Sequence, residues 1–584
     1  MRKIIATLAL LTMAGGAFAQ KADLREAMRE SIRESLKEKR RTPVLISDAI
    51  EEPVQKNASV STYESRVTIN TKAIQEAEVS LAYHPADSSK VVISFMEESS
   101  SGLNFPIYYS SDGGQSWTHS SFNAKSILAQ DHAGQFIGGG GDPAFAWDKN
   151  GRVYFSWIYL TLNASQDTAF WNLMYAYSDN YGQSWVVPAG KDRYIGTGAL
   201  NPLNNSLFNI GDGVTDRQWF AVDNTNGPNQ GKLYCSFLIE PADSDPNKFG
   251  EAVKVKNYNA TAFGPLNLAF NGETQFGNLE VAPNGTLHMG LVNLQTEQVL
   301  HISSPNGVSF NAANTVANAT NLFPRNQSAL VHDRENGATN LAIDGNGILH
   351  MVWTDFETSD WHAYYSRSTD GGVSWSAQKD LNAVFTNRKA FMPTVAAAGK
   401  NVSISMSAID NSDSASFYQI RSTDNGVNWS SPQLLSHGQG NYNAYTNNEF
   451  FGDYNRSVRS NCVTYAAWSD GRDGQGPKIY FTRTNICSTG IGEISTVNGN
   501  LQLESLYPNP ASTEVTLQLN AASAGNVSVS ISDISGRNVW SEQRACKNGK
   551  SSMVISFGSL AAGNYMLSVR GNDGSVITRQ IHIR

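Results

Sequence analysis

The sequence predicts an all-β protein: a seven-bladed β-propeller followed by a small immunoglobulin-like β-sandwich. Two observations carry that prediction. The first is composition: charged residues make up 16% of the 584-residue chain, aromatics 10%, and 49 glycines accompany 19 prolines. Such a mix suits many short strands joined by tight turns and argues against long helices. The second is an eight-residue phrase that keeps returning. It reads Ser110-Ser111-Asp112-Gly113-Gly114-Gln115-Ser116-Trp117, and recurs at Ser178–Trp185, Ser368–Trp375 and Ser422–Trp429. A worn copy, Ser303 to Phe310, keeps the Gly and carries Phe in place of Trp. Repetition every few tens of residues means one supersecondary unit stacked many times.

The phrase is a hairpin turn. Its Asp or Asn side chain accepts bonds from backbone N–H groups across the turn, and Gly takes a conformation closed to other residues. The terminal aromatic ring packs back under the loop. Around each copy runs the same grammar of four strands: an apolar strand, a polar Gly turn, a second strand often ending in Trp, a third entering the phrase, and a short fourth. Asp142–Trp147, Asp148–Gly151 and Arg152–Trp157 form one such start; Asn340–Ile343, Asp344–Gly347 and Ile348–Trp353 form another.

Counting first strands places units near Glu78, Asp142, Arg217, Glu280, Asn340, Pro393 and Asp453, which makes seven. The last has no phrase and no fourth strand. Ser59 to Ile69 is free to complete it, closing the ring by joining its two ends and removing an unpaired edge. Six blades is the alternative, if the weakly marked unit from Arg217 to Leu266 is an insertion.

The two ends read differently. Residues 1–19 have the form of a secretory signal: Arg2 and Lys3, an apolar run from Ile4 to Met13, and Ala17-Phe18-Ala19 before Gln20. No other apolar run is long enough to span a bilayer. In the N-terminal segment 20–58, Leu24, Met28, Ile32 and Leu36 predict a helix that Pro43 stops. The propeller occupies 59–487, a Ser/Thr/Gly linker 488–500, and short alternating strands from Leu501 to Arg584 predict the sandwich.

Four cysteines in an exported chain invite pairing. Cys462 begins one strand and Cys487 follows the next, ends that lie side by side in an antiparallel hairpin, so a Cys462–Cys487 disulfide is expected. Cys235, mid-strand, reads as a buried small apolar residue. No Cys/His spacing suits zinc, and neither a metal nor a cofactor is expected. The net charge of −8, without a Lys/Arg-rich stripe, excludes nucleic acid as the expected partner. Gly138–Gly141 is no phosphate loop, because neither a Lys-Ser/Thr pair nor a helix follows it.

The phrase resembles the Asp box, or BNR repeat, of the sialidase superfamily, over roughly residues 60–487. The tail resembles the type A sorting domain of the type IX secretion system of Bacteroidetes. Its marks are Leu506-Tyr507-Pro508-Asn509-Pro510, Asp533-Ile534-Ser535-Gly536-Arg537 and Leu560-Ala561-Ala562-Gly563-Asn564-Tyr565, with a basic strand ending at Arg584. That resemblance implies recognition of 501–584 by the secretion machinery, export through the outer membrane, removal of the tail, and release or attachment to surface lipopolysaccharide.

The sialidase resemblance implies three arginines clamping a substrate carboxylate, a Tyr nucleophile primed by Glu, and an Asp acid/base. On that pattern Arg217, Arg334 and Arg472 would form the clamp, Tyr454 the nucleophile with Glu280 as its base, and Asp142 the acid/base. The early Arg-Ile-Pro motif of the superfamily is absent; Gln75 to Ser80 stands there without an arginine. The plainer account of the same residues is that they bond neighbouring blades and satisfy buried turns. Trp171, Trp361 and Phe451, on cross-blade loops, are further candidates for stacking on sugars. Two functions therefore stand: a secreted or cell-surface sialidase-like exo-glycosidase acting on glycans or glycoproteins, or a non-catalytic glycan- or protein-binding propeller.

Overall fold

The computed structural model describes the chain from residue 62 to 584, apart from 68–72, 100–101, 123–135, 164, 166, 202–205, 323–337, 358–359, 412–413, 442–450, 473–475, 486–500, 534–536, 559 and 573–574. The leader, the expected helix, Arg334, Cys487 and the linker thus lie outside the described residues. The chain divides into two compact units, Met1–Asn485 and Ile486–Arg584.

Among the described residues, the first unit contains seven antiparallel sheets. Their innermost strands are Ala73–His84, Phe136–Trp147, Gly213–Val222, Thr274–Val281, Asn340–Ile343, Arg388–Ala398 and Arg456–Arg459. Each touches the innermost strand before and after it, and the seventh touches the first, so the sheets stand round a closed ring as a propeller requires. The weakly marked stretch beyond Arg217 forms the third sheet, four strands from Gly213 to Asn271. Thr62–Arg66 pairs antiparallel with Lys478–Asn485 as the outer strand of the seventh sheet. The first and last described strands of the first unit meet there.

The repeated turn owes its shape to eight consecutive residues. Asp112 Oδ1 accepts from the Gln115 and Ser116 amides at 2.8 and 2.9 Å, and Gly114 N donates to Ser110 Oγ at 2.8 Å. Asp370 and Asp424 hold the Ser374 and Asn428 amides in the same way, each at 2.9 Å. In the second copy Asn180 takes this role, while Asp179 pairs with Arg152 at 2.7 Å.

Each turn also binds its sheet to the preceding one. Gly114 lies on Phe481, Gly182 on Val92, Gly307 on Tyr234, Gly372 on His301 and Gly426 on Tyr365, all with positive φ and so little room that a Cβ would overlap. Trp185 Nε1 donates to Ser120 Oγ of the first sheet at 3.0 Å, and Trp117 Nε1 to Ser65 Oγ of the closing strand at 3.2 Å. The closing strand is therefore used as an ordinary outer strand.

Between sheets lies an apolar filling that includes Trp157, Trp171, Trp353, Trp361 and Trp468, all fully buried. Each such ring contributes on the order of 2–3 kcal/mol by leaving water. Nearer the axis the sheets are joined by polar groups. Asn278 Oδ1 accepts from Leu341 N and Asn340 Oδ1 from Val395 N, both at 2.8 Å, and Thr394 Oγ1 accepts from Ser457 N at 2.9 Å.

The second unit packs a three-stranded sheet (Leu501–Tyr507, Glu514–Ala521, Gly549–Ser556) against a four-stranded one (Asn538–Cys546, Gly525–Ser532, Gly563–Gly571, Val576–Ile583). Strict alternation puts Val515, Leu517 and Leu519 inside with Val527, Val529 and Ile531, the pattern of a sandwich. No helix among the described residues is long and apolar enough to cross a membrane.

Cys462 is disulfide-bonded, and its expected partner Cys487 falls outside the described residues. Cys235 and Cys546 are free and buried. Trp171, Trp361 and Phe451 are buried at 2%, 1% and 5% exposure, which corrects their reading as sugar-stacking rings: they fill the spaces between sheets.

Candidate functional site

The innermost strands share a local irregularity that builds the hub. In the first, second, third, fourth and sixth sheets the pairing register shifts within the strand, and the residue at the shift has positive φ: Glu78, Asp142, Arg217, Phe276 and Met392. A bulge of this kind re-aims one side chain, and a left-handed non-glycine residue costs roughly 1–3 kcal/mol wherever surrounding structure enforces it.

Three of the sequence-selected residues meet here. Tyr454 Oη donates to Asp142 Oδ1 at 3.2 Å. Arg217 forms an ion pair with Asp453 and lies over the Phe276 ring, 4.3 Å from its centroid. Trp219 stands edge-on to Tyr454, with centroids 5.7 Å apart, and carries Arg456 over its face at 4.7 Å. Trp219, Phe276, Thr339, Asn340, Met392, Asp453, Tyr454 and Asn455 line a cavity of about 10 Å³, room for one water-sized group.

The electrostatics are set by burial and by an excess of carboxyls. Asp142, Asp216, Arg217 and Asp453 are each at most 6% exposed. Burial raises Asp142 above the carboxylate range and Asp453 adds to it, while Arg217 and the Tyr454 hydroxyl pull the other way. Asp216, hydrogen-bonded to Asp142, is pushed up to about 8, by burial first and by Asp142 second. Burial, reinforced by Asp216, takes Glu251 to about 8 as well. Burial opposes the Arg217 cation, but Asp453, Asp216, Glu78 and Asp142 outweigh it and hold its pKa up. Tyr454 is raised, chiefly by burial and then by Asp142, so its phenol is held neutral rather than activated.

Other expected members are elsewhere. Arg472 is held by Asp470 at 2.7 Å and by Glu64 of the closing strand at 2.9 Å, and lies on the Tyr480 ring. That corrects its place in a carboxylate clamp: an acidic residue two positions away captures it first. Glu280 is corrected as the base of Tyr454. The tyrosine's acceptor is Asp142, and Glu280, raised to about 7 by burial, has Arg456 as its opposing charge. Arg334 lies outside the described residues.

Sequence reasoning missed Glu251, Arg456 and Phe276. The signal for the first was a carboxylate inside the apolar run Ala252-Val253 that follows it, in a strand buried throughout. Gly277 leaves the space that Glu251 occupies; a Cβ there would overlap the carboxyl group. Among the described residues, no group of His, Cys, Asp and Glu is arranged to hold a metal ion.

Comparison with known proteins identifies the tail. Residues 505–584 match the secretion system C-terminal sorting domain. The chain is thus marked for type IX secretion, to the cell surface or beyond it. A sequence comparison with curated proteins finds no match. Among solved structures the chain is similar to a protein of unknown function from Dyadobacter fermentans, at 10% identity over 73% of this chain and 99% of that one, TM-score 0.39. It is similar to a Hadza microbial sialidase at 13% identity over 73% and 68%, TM-score 0.40. An α-L-arabinofuranosidase from Fusarium graminearum is similar at 11% identity over 73% and 98%, TM-score 0.36. Identities this low carry no activity from one chain to another.

Proposed function

We propose that this exported propeller binds glycans that lack a carboxylate, at the mouth of its hub, without sialidase chemistry. The observation that supports this is the ion pair of Arg217 with Asp453 amid Glu78, Asp142 and Asp216. A sugar acid brought to that hub meets like charge from the surrounding carboxyls, and the Nη2 of Arg217 is already held by Asp453. Aromatic rings beside amide, hydroxyl and carboxyl groups suit the alternating apolar and hydroxylated faces of a neutral sugar.

The test is a glycan array with the purified propeller, run beside fluorogenic sialosides. Binding confined to non-acidic glycans, with no sialoside turnover, is the expected result. Sialoside hydrolysis that Tyr454→Phe abolishes would overturn it. The Tyr454–Asp142 hydrogen bond supports a second reading, hydrolysis of neutral glycosides. Neutral fluorogenic glycosides decide it, with Asp142→Asn as the inactive control.

A further inference from the structure

We infer that the propeller holds a phosphate group between Arg421 and Arg459, at the end of the sixth and seventh sheets remote from the mouth. This site is separate from the hub cavity and independent of the glycan reading.

Asp453 and Tyr454 lead into the innermost strand Arg456–Arg459, and Arg459 is its last residue. Arg459 is 4% exposed and donates locally: Nη1 to Ser403 Oγ at 2.8 Å, Nε to Ser460 O at 3.2 Å and Nη2 to Asn461 O at 3.4 Å. One N–H on each terminal nitrogen is left over. Ser403, fully buried, pairs directly with Arg421 across the strands Asn401–Asp410 and Ser414–Ser422. Opposed residues leave an antiparallel pair on the same face, with Cβ atoms about 5 Å apart. Arg421 therefore rises beside the serine that Arg459 grips. It is half-buried, and its guanidinium has neither a hydrogen bond nor an ion pair among the described residues.

Charge marks the same place. Elsewhere in the first unit Arg217, Arg388 and Arg472 each have a carboxylate, from Asp453, Asp410 and Asp470. Arg421 and Arg459 have none among the described residues. Asp424, on the turn after Arg421, spends its oxygens on Ser422 Oγ, Asn428 N and Asn428 Nδ2. Burial lowers both arginines, and Arg421 adds to the lowering of Arg459, which falls to about 10. Neighbouring cations withdrawn from water without a counter-charge are costly until an anion joins them. Exposed Lys400 stands on the turn before Asn401, and Gly399 beside it lies against the Asn461 side chain, so a third positive charge borders the same spot. Donors from two sheets and a turn suit a tetrahedral oxyanion better than a flat carboxylate. Phosphate at neutral pH carries close to two charges and accepts on each free oxygen.

The experiment is calorimetric titration of the full chain with inorganic phosphate and with glycerol 1-phosphate, at low and at physiological salt. The expected result is one saturable site per chain whose affinity falls at the higher salt. Arg421→Gln should lose at least tenfold while melting cooperatively, and Arg421→Lys, which keeps the charge and loses the fork, should lose at least threefold. Arg367→Gln removes a positive charge from the equivalent position of the fifth sheet, where Nη1 already donates to Asn425 O at 2.9 Å, and should bind as wild type does. Tighter binding of glycerol 1-phosphate names an ester as the source, and equal or weaker binding names the free ion; either supports the site. Absence of saturable uptake overturns it, as do Arg421 variants that bind like wild type or an equal loss in Arg367→Gln. Glycan binding at the mouth should be unchanged in every variant, so that failure here leaves the glycan reading standing.

Discussion

Arg217 and Asp453, 236 residues apart in the chain, form an ion pair at the axis with side-chain exposures of 4% and 1%. It ties the third sheet to the approach of the seventh across the ring. Removing one partner leaves an uncompensated buried charge, whereas replacing both by apolar groups does not. Asp453→Asn should therefore cost about 3–5 kcal/mol in urea denaturation, and Arg217→Met with Asp453→Leu markedly less. Equal losses would show that the pair is not what holds the hub.

Stability should also fall with rising pH. Asp216 and Glu251, ordinarily at 3.8 and 4.5, are both raised to about 8. The folded chain keeps protons there that the unfolded chain gives up, so the contribution of these two groups to stability is greatest below about 4, declines up to about 8, and then levels. Thermal melts from pH 5 to 9 should show the decline. Asp216→Asn, which cannot ionise, should make the decline shallower, with Glu251 keeping its own share, and an unchanged slope would refute the assignment.

The repeated turns carry an internal control. Gly371 and Gly372 both have positive φ, at 75° and 90°. A Cβ at Gly371 meets nothing within 4 Å, while one at Gly372 runs into the His301 ring. Gly371→Ala should cost about 1 kcal/mol from backbone strain alone. Gly372→Ala should cost more, about 2–4 kcal/mol, because sheets four and five must also part. Chemical denaturation of the two variants measures the difference.

Arg472 should matter for ring closure rather than for ligand. It holds Glu64 of the closing strand, whose carboxylate also accepts from His437 N at 3.0 Å. Arg472→Ala should destabilise by about 2–3 kcal/mol and open the bond after Arg66 to trypsin, leaving glycan binding unchanged in the intact fraction. Resistance to trypsin equal to wild type would remove this role.

The fold was readable because the repeated turn is local chemistry: Ser110, Asp112, Gly114 and Trp117 reach their partners within a few residues or on the adjoining sheet. The innermost strands were readable for the same reason, as Asp142, Asp216-Arg217 and Asp453-Tyr454 precede apolar runs, although Asp142 and Arg217 stand at bulges in mid-strand and not at the starts. Which of those residues pair was not. Arg472 and Arg217 look alike in sequence, yet one has Asp470 two residues away and the other reaches across the ring to Asp453. Glu251 escaped notice because its meaning depends on Gly277, in the neighbouring sheet, being too small to exclude it.

The partner strands of the last sheet, Thr62–Arg66 and Lys478–Asn485, come from opposite extremities of the first unit. A chain emerging amino end first must hold the earlier segment in reserve, without its sheet, until more than four hundred further residues have followed. Closing so large a loop is the slowest kind of contact a polypeptide makes. Completion of the circle accordingly waits on the last strand of the first unit, after the residues of every other sheet of that unit have been made.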